Sequence, residues 1–438
     1  MPNGKVDRQR LPEAEAVGSE GERRQARTAV EAVLQSIWEE VLGVRELSVT
    51  ANFFELGGHS LLATQVMSRV REALQVEMPV RSLFAEPTVR GLAAEIELQL
   101  QTAEGMRRPP LRRGLRDGEL PLSYAQQRLW FADQLTRGSA IFNVAVAVRL
   151  NGELNVTALA RTLREIIARH EVLRTIFPAR EGQPVQVIVE QVEFELPVTD
   201  LRELDQAERE QVARRLAEEE AQTRFDLATG PLVRARLLRL GQAEHVALFT
   251  MHHIVSDGWS RGVLIKEVSQ LYEAYTRGEE SPLTELPIQY ADYAVWQREW
   301  LTGEVLDKQL EYWREQLAGA PETLALPTDR ERPAIQSFRG GRYPVAFTPE
   351  LTEELKSLSR RESATLFMTL LTAFKILLHY YSKEDDIVVG ANVANRNQAE
   401  TEALIGFFVN TVVLRTELSG DPTFVELLKR LREVCLEA

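Results

Sequence analysis

The sequence predicts a multidomain protein, a small all-α bundle followed by a larger mixed α/β region. Three observations carry this. Apolar residues recur at helical spacing through residues 28–102. From residue 141 onward, strictly alternating runs interleave with amphipathic ones. Polar stretches at 13–27 and 103–119 read as linkers around the bundle. A length of 438 residues suits two to four domains.

Composition excludes several classes. A hydrophobic content of 44% is that of an ordinary globular protein. The net charge of −13 argues against a nucleic-acid partner. A single cysteine, Cys435, rules out internal disulfides and fits a reducing, cytoplasmic compartment. No apolar run nears the length of a membrane span, and the opening MPNGKVDRQRLP has no signal-peptide core, so no membrane partner is expected.

In residues 1–12, Asn3-Gly4-Lys5 forms a glycine turn carrying a lysine. Thr28-x-x-Glu31 is a capping-box signature. It opens a helix with Val30, Val33, Leu34, Ile37, Trp38, Val41 and Leu42 on one face, ended by Gly43. A loop leads through Phe53 and Phe54 to Gly57-Gly58-His59-Ser60, where a second helix begins. A short turn around Ser82-Leu83-Phe84 and a helix after Pro87-Thr88 complete the bundle. The two glycines keep the chain thin before Ser60 and leave its hydroxyl accessible. A helix N-terminus there favours a neighbouring anion such as a phosphodiester.

The linker arginines around Pro109 and Pro110 read either as solvated or as lying on an acidic neighbour. Beyond them, Ile141–Leu150 alternates as a strand, and residues 156–168 form an amphipathic helix. Val185–Val189 is a strand, and 203–223 a charged helix. Leu232–Leu240 is expected to pair antiparallel with the strand Glu244–His253. Side chains alternate along a strand, so His252 and His253 point to opposite faces and do not readily grip one metal. One histidine is then the working group and the other is held inside. Ser256-Asp257-Gly258 turns the chain, and Trp259 opens a helix to about Tyr275. Asp257 is placed to orient a neighbour or cap that helix, and Gly258 admits close approach of a ligand. After Tyr290–Gln297 a helix is expected to about Leu317, and Leu366–Tyr381 reads as a buried helix. A strand and turn occupy 387–396, another strand follows Gly406–Thr411, and a helix spans 423–437.

Two resemblances add to this reading. The run Asn52-Phe53-Phe54-Glu55-Leu56-Gly57-Gly58-His59-Ser60-Leu61 closely resembles peptidyl carrier proteins, which implies that Ser60 bears a covalent 4′-phosphopantetheine arm. The ordered segments SYAQQRLWF, RHEVLRTIF, MHHIVSDGWS, YADYAVWQ, IVVGANVANR and IGFFVNT resemble the condensation domains of nonribosomal peptide synthetases. That implies two chloramphenicol-acetyltransferase-like lobes with the reaction between them. The opening glycine turn resembles the last motif of an adenylation domain, with Lys5 in the place of its lysine. Together these imply an adenylation tail at 1–12, a linker at 13–27, a carrier at 28–102 and a linker at 103–119. They imply condensation lobes at 120–295 and 296–438, the second incomplete at its C-terminal end.

The implied chemistry is amide formation. An acyl chain held as a thioester on Ser60 is attacked by the amine of a downstream carrier. His253 is the candidate base, or else orients the amine. Asp257 is expected in a structural ion pair, with Arg169 the preferred partner and Arg174 second. The Gly258 N–H is a candidate oxyanion donor. The first motif and the Gly-Gly-His-Ser form resemble the subtype that takes an L-configured donor. Implied partners are a phosphopantetheinyl transferase, the upstream adenylation domain, downstream adenylation and carrier domains, and aminoacyl or peptidyl thioesters. Rivals are an epimerisation or terminal cyclising domain, a non-catalytic docking platform and a CoA-using acyltransferase. A heterocyclisation domain is disfavoured because it replaces the histidines with aspartates.

Overall fold

The computed structural model describes residues 26–438, apart from 75, 103–108, 117–118, 137–138, 332, 334–337 and 339. The expected adenylation tail, and all but the end of the linker before the carrier, lie outside the described residues. The chain divides into two compact units. One comprises the described part of Met1–Arg107 with Ala346–Lys375 and Pro422–Glu437; the other comprises Arg108–Val345 and Ile376–Asp421.

In the first unit, α1 (Ala29–Leu42), α2 (Ser60–Leu74), α3 (Val80–Ala85) and α4 (Val89–Thr102) form the expected bundle. Thr28 caps α1 by accepting from the Glu31 N–H at 3.1 Å, and Gly43 ends it at φ +66°. The core holds Leu34, Trp38, Phe53, Val66, Leu83 and Ile96, all fully buried. The Phe53 ring stands edge-on to Trp38 at 4.9 Å.

That ring explains one of the two glycines before Ser60. A Cβ on Gly58 would lie 2.3 Å from the Phe53 ring and 2.6 Å from its carbonyl oxygen. Gly57 next to it has φ +96°, a backbone state that favours glycine. The loop is thin because it passes over a buried aromatic, and the hydroxyl-bearing residue emerges just beyond.

The second unit opens with β1 (Leu120–Pro121) and α5 (Tyr124–Leu135), whose start is a capping box of Ser123 and Gln126. Its main sheet has four strands in the order β2-β8-β7-β6. These are β2 (Asn143–Asn151), β6 (Val198–Asp200), β7 (Val233–Arg239) and β8 (Glu244–His252). β8 is central, antiparallel to β2 and to β7 as the alternation predicts, while β6 runs parallel to β7. β3 (Thr175–Ile176), β4 (Ala179–Arg180) and β5 (Gln183–Ile188) form a smaller sheet with β1. Helices α6 (Val156–Arg169), α7 (Gln206–Gln222) and α8 (Gly258–Thr276) follow, and α6 lies along α8. One apolar cluster runs from Leu122 and Trp130 through Leu173 and Leu271 to Tyr290 and Phe408.

Two expectations are corrected here. The segment Tyr290–Gln297 does not precede a single long helix; it is itself α9 (Tyr290–Trp300), separated from α10 (Gly303–Gln316) by a break at Gly303, where φ is +53°. α11 (Pro349–Arg361) is followed by α12 (Leu366–Ser382), which its composition predicts to be buried. Met368, Thr372 and Lys375 are buried, but Phe367, Phe374, Tyr380 and Tyr381 are about half exposed or more. Apolar composition says that such a helix favours cover, not that both its sides have it. β9 (Asp386–Val393) and β10 (Asn410–Glu417) form an antiparallel pair, and α13 (Phe424–Glu437) ends the chain. No single helix among the described residues is long and apolar enough to cross a membrane.

Gly58→Ala should force Phe53 out of its place in the carrier core. Overpacking of this kind costs about 1–3 kcal/mol. The midpoint of urea unfolding followed by Trp38 fluorescence in the full chain should fall, whereas Gly57→Asn, which tolerates positive φ, should fall less.

Candidate active site

Two groups of residues carry the candidate chemistry, and each lies within one unit. In the carrier, Ser60 is the first residue of α2 and is exposed. The Ala63 N–H donates to the His59 carbonyl at 2.8 Å, so His59 rather than Ser60 holds the backbone position that caps the helix. The serine hydroxyl is thereby left over for attachment. An exposed hydroxyl at a helix N-terminus, beyond a side-chain-free loop, fits a phosphodiester-linked arm.

In the second unit the site forms where β8 ends. His252 closes the strand, opposite Asn143 in the register, and its N–H donates to the Leu232 carbonyl at 3.0 Å. The chain then makes a 3₁₀ turn, His253–Val255. His252 is buried, with Phe142 and Phe225 edge-on to its ring, and its Nδ1 accepts from the Ile254 N–H at 3.1 Å. In the neutral form the ring carries its hydrogen on Nε2, which faces Asp133 at 3.6 Å. His252 is the histidine held inside; it caps the turn from which its neighbour projects.

His253 is half-buried and makes the opposite choice of tautomer. Its Nδ1 lies 2.7 Å from the Ser256 carbonyl oxygen. A carbonyl only accepts, so Nδ1–H donates, and in the neutral form of the ring Nε2 then carries the lone pair. Phe407 stands edge-on to the ring at 5.0 Å. The arrangement fixes one nitrogen of the imidazole and, in the neutral form, leaves the other available to take a proton.

Asp257 does not reach toward that proton. It caps α8, accepting from the Ser260 N–H at 2.8 Å. It also accepts from the Ser260 hydroxyl at 2.7 Å and from the Phe408 N–H at 3.1 Å. Arg396, 2% exposed, sets one guanidinium nitrogen 3.2 and 3.4 Å from the two carboxylate oxygens. The same guanidinium donates to the Leu404 carbonyl at 2.8 Å and to that of Thr401, and lies 3.9 Å over the Phe408 ring. Burial pulls the Arg396 pKa down, against the pull of Asp257. The pair thus ties the start of α8 to residues 401–408, and that loop presents Phe407 to His253.

The expected partner for Asp257 is corrected by this geometry. Arg169 ends α6, and its Nε donates to Glu267 of α8 at 3.0 Å. Arg174 donates to the Val189 carbonyl at 2.7 Å. Both arginines serve the packing of α6 and the small sheet, while Asp257, just ahead of the first turn of α8, faces the loop that Arg396 gathers. Glu267 also meets His170 Nε2 at 2.8 Å, and His170 Nδ1 accepts from the Ile405 N–H at 3.3 Å. Arg169 therefore reaches the same loop through Glu267 and His170.

Further groups beside the histidine lie in the resembling segments and carry no mark of their own in the sequence. The Tyr290 hydroxyl is fully buried between Ser123 Oγ, at 2.8 Å, and the Phe407 carbonyl. Burial pushes its pKa well above the ordinary phenol value, so it stays a donor. Ser260 accepts from the Gly406 N–H at 3.0 Å. Tyr290 opens one motif, Ser260 and Arg396 close two others, and Phe407 sits within a fourth; position in a motif is the only sequence signal for them. Gly258 begins α8, is exposed, and has nothing within 4 Å of where a Cβ would stand. It lines a cavity of about 720 Å³ with Arg169, Trp259, Lys266, Thr284 and Glu402.

Removing one member of a buried ion pair costs about 3–5 kcal/mol. Asp257→Ala and Arg396→Ala should each destabilise the second unit on that scale, measured by chemical denaturation. The double variant should cost less than the sum of the two. Glu267 gives a pH signature. Burial raises its pKa, but hydrogen bonds and charge from His170 and Arg169 outweigh this and hold it below the usual glutamate value. A lowered folded-state pKa contributes stability above the unfolded value of about 4.3 and loses it as pH falls through the folded one. Glu267→Gln should therefore flatten the acid limb of stability below about pH 4.3.

Comparison with known proteins matches these two sites to two families. The Condensation domain family matches residues 116–438, and the Phosphopantetheine attachment site family matches residues 32–96. A component of the linear gramicidin synthase of Brevibacillus parabrevis is 51% identical over 438 residues, which is 100% of this chain and 6% of that protein. The chain thus spans a small part of the curated relatives it matches. Among solved structures, the complex of the X-domain and OxyB from teicoplanin biosynthesis is 32% identical, with a TM-score of 0.68 over 76% of this chain and 73% of that one. The first condensation domain of the CDA synthetase shares the fold, with a TM-score of 0.61 and 22% identity over 73% of this chain and 76% of that one. The chain belongs to the condensation-domain family of nonribosomal peptide synthetases and carries a phosphopantetheine attachment site ahead of that domain.

Proposed function

We propose that this chain joins an acyl group carried on Ser60 to the amine of an aminoacyl thioester held by a downstream carrier. The observation that carries the reading is the contact of His253 Nδ1 with the Ser256 carbonyl, which in the neutral ring leaves Nε2 as an acceptor. The pantetheine arm, when attached to Ser60, presents the acyl chain as a thioester and so supplies an already activated carbonyl. His253 Nε2 takes the proton that the attacking amine loses and returns it to the departing thiolate, so the ring ends neutral. General-base help of this kind is worth about 10²–10⁴-fold. The Gly258 N–H, at the positive end of α8, is the candidate donor for charge on the carbonyl oxygen. Asp257 and Arg396 act through the backbone they hold.

The first motif and the Gly-Gly-His-Ser form support an L-configured donor, and Asn3-Gly4-Lys5 supports an adenylation tail in residues 1–12. A phosphopantetheinyl transferase, neighbouring adenylation and carrier domains, and a cytoplasmic setting complete the proposal. Likeness to the X-domain favours a second reading, a platform that binds another enzyme without forming amides. An intact His253 whose Nδ1 is held by the Ser256 carbonyl weighs against it.

In the full chain, His253→Ala should still load pantetheine on Ser60 but lose about 10²-fold or more in dipeptide formation. Intact-protein mass spectrometry reads the loading, and product chromatography reads the amide. Undiminished product in His253→Ala would overturn the role given to His253, whereas absence of product from the loaded, unsubstituted chain would shift support to the platform reading. Ser60→Ala should abolish the pantetheine mass shift without altering the unfolding midpoint of the second unit.

A further inference from the structure

Residues 109–116 have the composition of a linker, yet the second unit holds them at successive points. Trp296 Nε1 of α9 donates to the Pro109 carbonyl at 2.7 Å. Leu111 is buried in the large apolar cluster, 7% exposed. Arg113 pairs with Glu285 at 2.7 Å. The Gly114 N–H donates to Asp292 Oδ1 at 2.8 Å. Arg116 spreads its guanidinium over two acids, meeting both oxygens of Asp292 at 2.6 and 3.1 Å and Glu171 at 2.8 Å. Of the two readings the sequence leaves for these arginines, contact with acidic neighbours is the one seen at Arg113 and Arg116.

The Asp292 contact is a built one. Its side chain is 1% exposed, and it also accepts from the Gln289 N–H at 2.7 Å at the start of α9. Burying a carboxylate is costly unless it is paired and hydrogen-bonded. A chain that only had to bridge two domains would need neither a desolvated acid nor a buried leucine. α9 is also the helix whose Tyr290 holds the Phe407 carbonyl beside His253. One helix thus grips the connecting segment and braces the candidate site.

We propose that Arg116 and Asp292 are positioning residues for donor delivery: they fix the point on the catalytic domain from which the carrier is tethered. The inference rests on the carrier-to-condensation reading given above. From the end of α4 at Thr102 to Pro109, the first of the described linker residues held by the second unit, is seven residues of chain. At about 3.5 Å per residue these reach at most about 25 Å. With the clamp released, the next described residue held in a strand is Leu120 in β1, eighteen residues from Thr102 and within about 60 Å. Effective concentration falls roughly as the −3/2 power of tether length, so release should dilute the donor at its site about fourfold.

The test compares two donors on the full chain, against one soluble aminoacyl-thioester amine. In the first arm the holo chain carries the acyl group on Ser60. In the second, the apo chain receives the same acyl group as a free small-molecule thioester. Arg116→Ala combined with Leu111→Ser, Arg113→Ala and Trp296→Phe, which together remove the side-chain holds on Pro109, Leu111, Arg113 and Arg116, should slow transfer from Ser60 about fourfold and leave transfer from the free thioester unchanged. Arg116→Ala alone should give a smaller loss confined to the same arm. Arg116→Lys should recover part of the rate. Equal losses in both arms, or no loss in either, overturn the proposal. Because Arg116→Ala leaves the buried Asp292 without its cation, Gly114→Pro is the second variant; it removes the N–H given to Asp292 and keeps every charge. A fluorescent pantetheine on Ser60 reads the tether without turnover. The slow component of its anisotropy decay should lose amplitude in both variants, and an unchanged decay overturns the proposal. Absence of product from both donors in the unsubstituted chain would count against the condensation reading instead, and the anisotropy result would still decide the clamp.

Discussion

A single buried ion pair, Asp257 with Arg396, organises the catalytic unit. Its members are 139 residues apart in the chain, and neither is exposed to water. The carboxylate accepts from the start of α8 and from the Phe408 amide, while the guanidinium gathers the carbonyls of Thr401 and Leu404. Two segments that share no secondary structure are thereby held in one register. Such pairs contribute little net stability over an apolar replacement, because desolvation offsets the attraction. What the pair provides is placement: it sets the Phe407 ring and the Tyr290 hydroxyl against the strand end that bears His253.

The two functional groups have a common construction. Ser60 and Gly258 each lie at the first residue of a helix, with the preceding loop fixed by buried contacts rather than by the functional group itself. In the carrier the fixed contact is Phe53 under Gly58, and in the catalytic unit it is Asp257 on Ser260. Each of these positions is exposed while the contacts that fix it are buried. A thioester is already activated, so a site built this way has more orienting to do than polarising.

Local features are legible in the sequence, and long-range pairings are not. The β7–β8 hairpin follows from alternation, α1 from its Thr28 cap and Gly43 stop, and the start of α2 at Ser60 from the glycines before it. These depend on neighbours within a few residues. The Asp257 partner depends on which of many arginines folds back, and a chain with 52 lysines and arginines offers no local mark that separates Arg396 from Arg169. The helix break at Gly303 is hidden because apolar spacing continues across it. β6 is hidden because three residues carry too little alternation to read. Resemblance supplies what periodicity lacks: Arg396, Tyr290, Ser260 and Phe407 all lie in segments picked out by it, although nothing in those segments tells what each side chain touches.

The hydrogen bond from His253 Nδ1 ends on a main-chain oxygen, not on a side chain. The proton inventory of the imidazole is consequently written into the course of the polypeptide, out of reach of ordinary substitution at residue 256. Evolution could exchange that serine for another residue with the same backbone path and leave the electronic state of the ring untouched. Drift in the electronic character of this centre would have to begin with a change in the path of the turn.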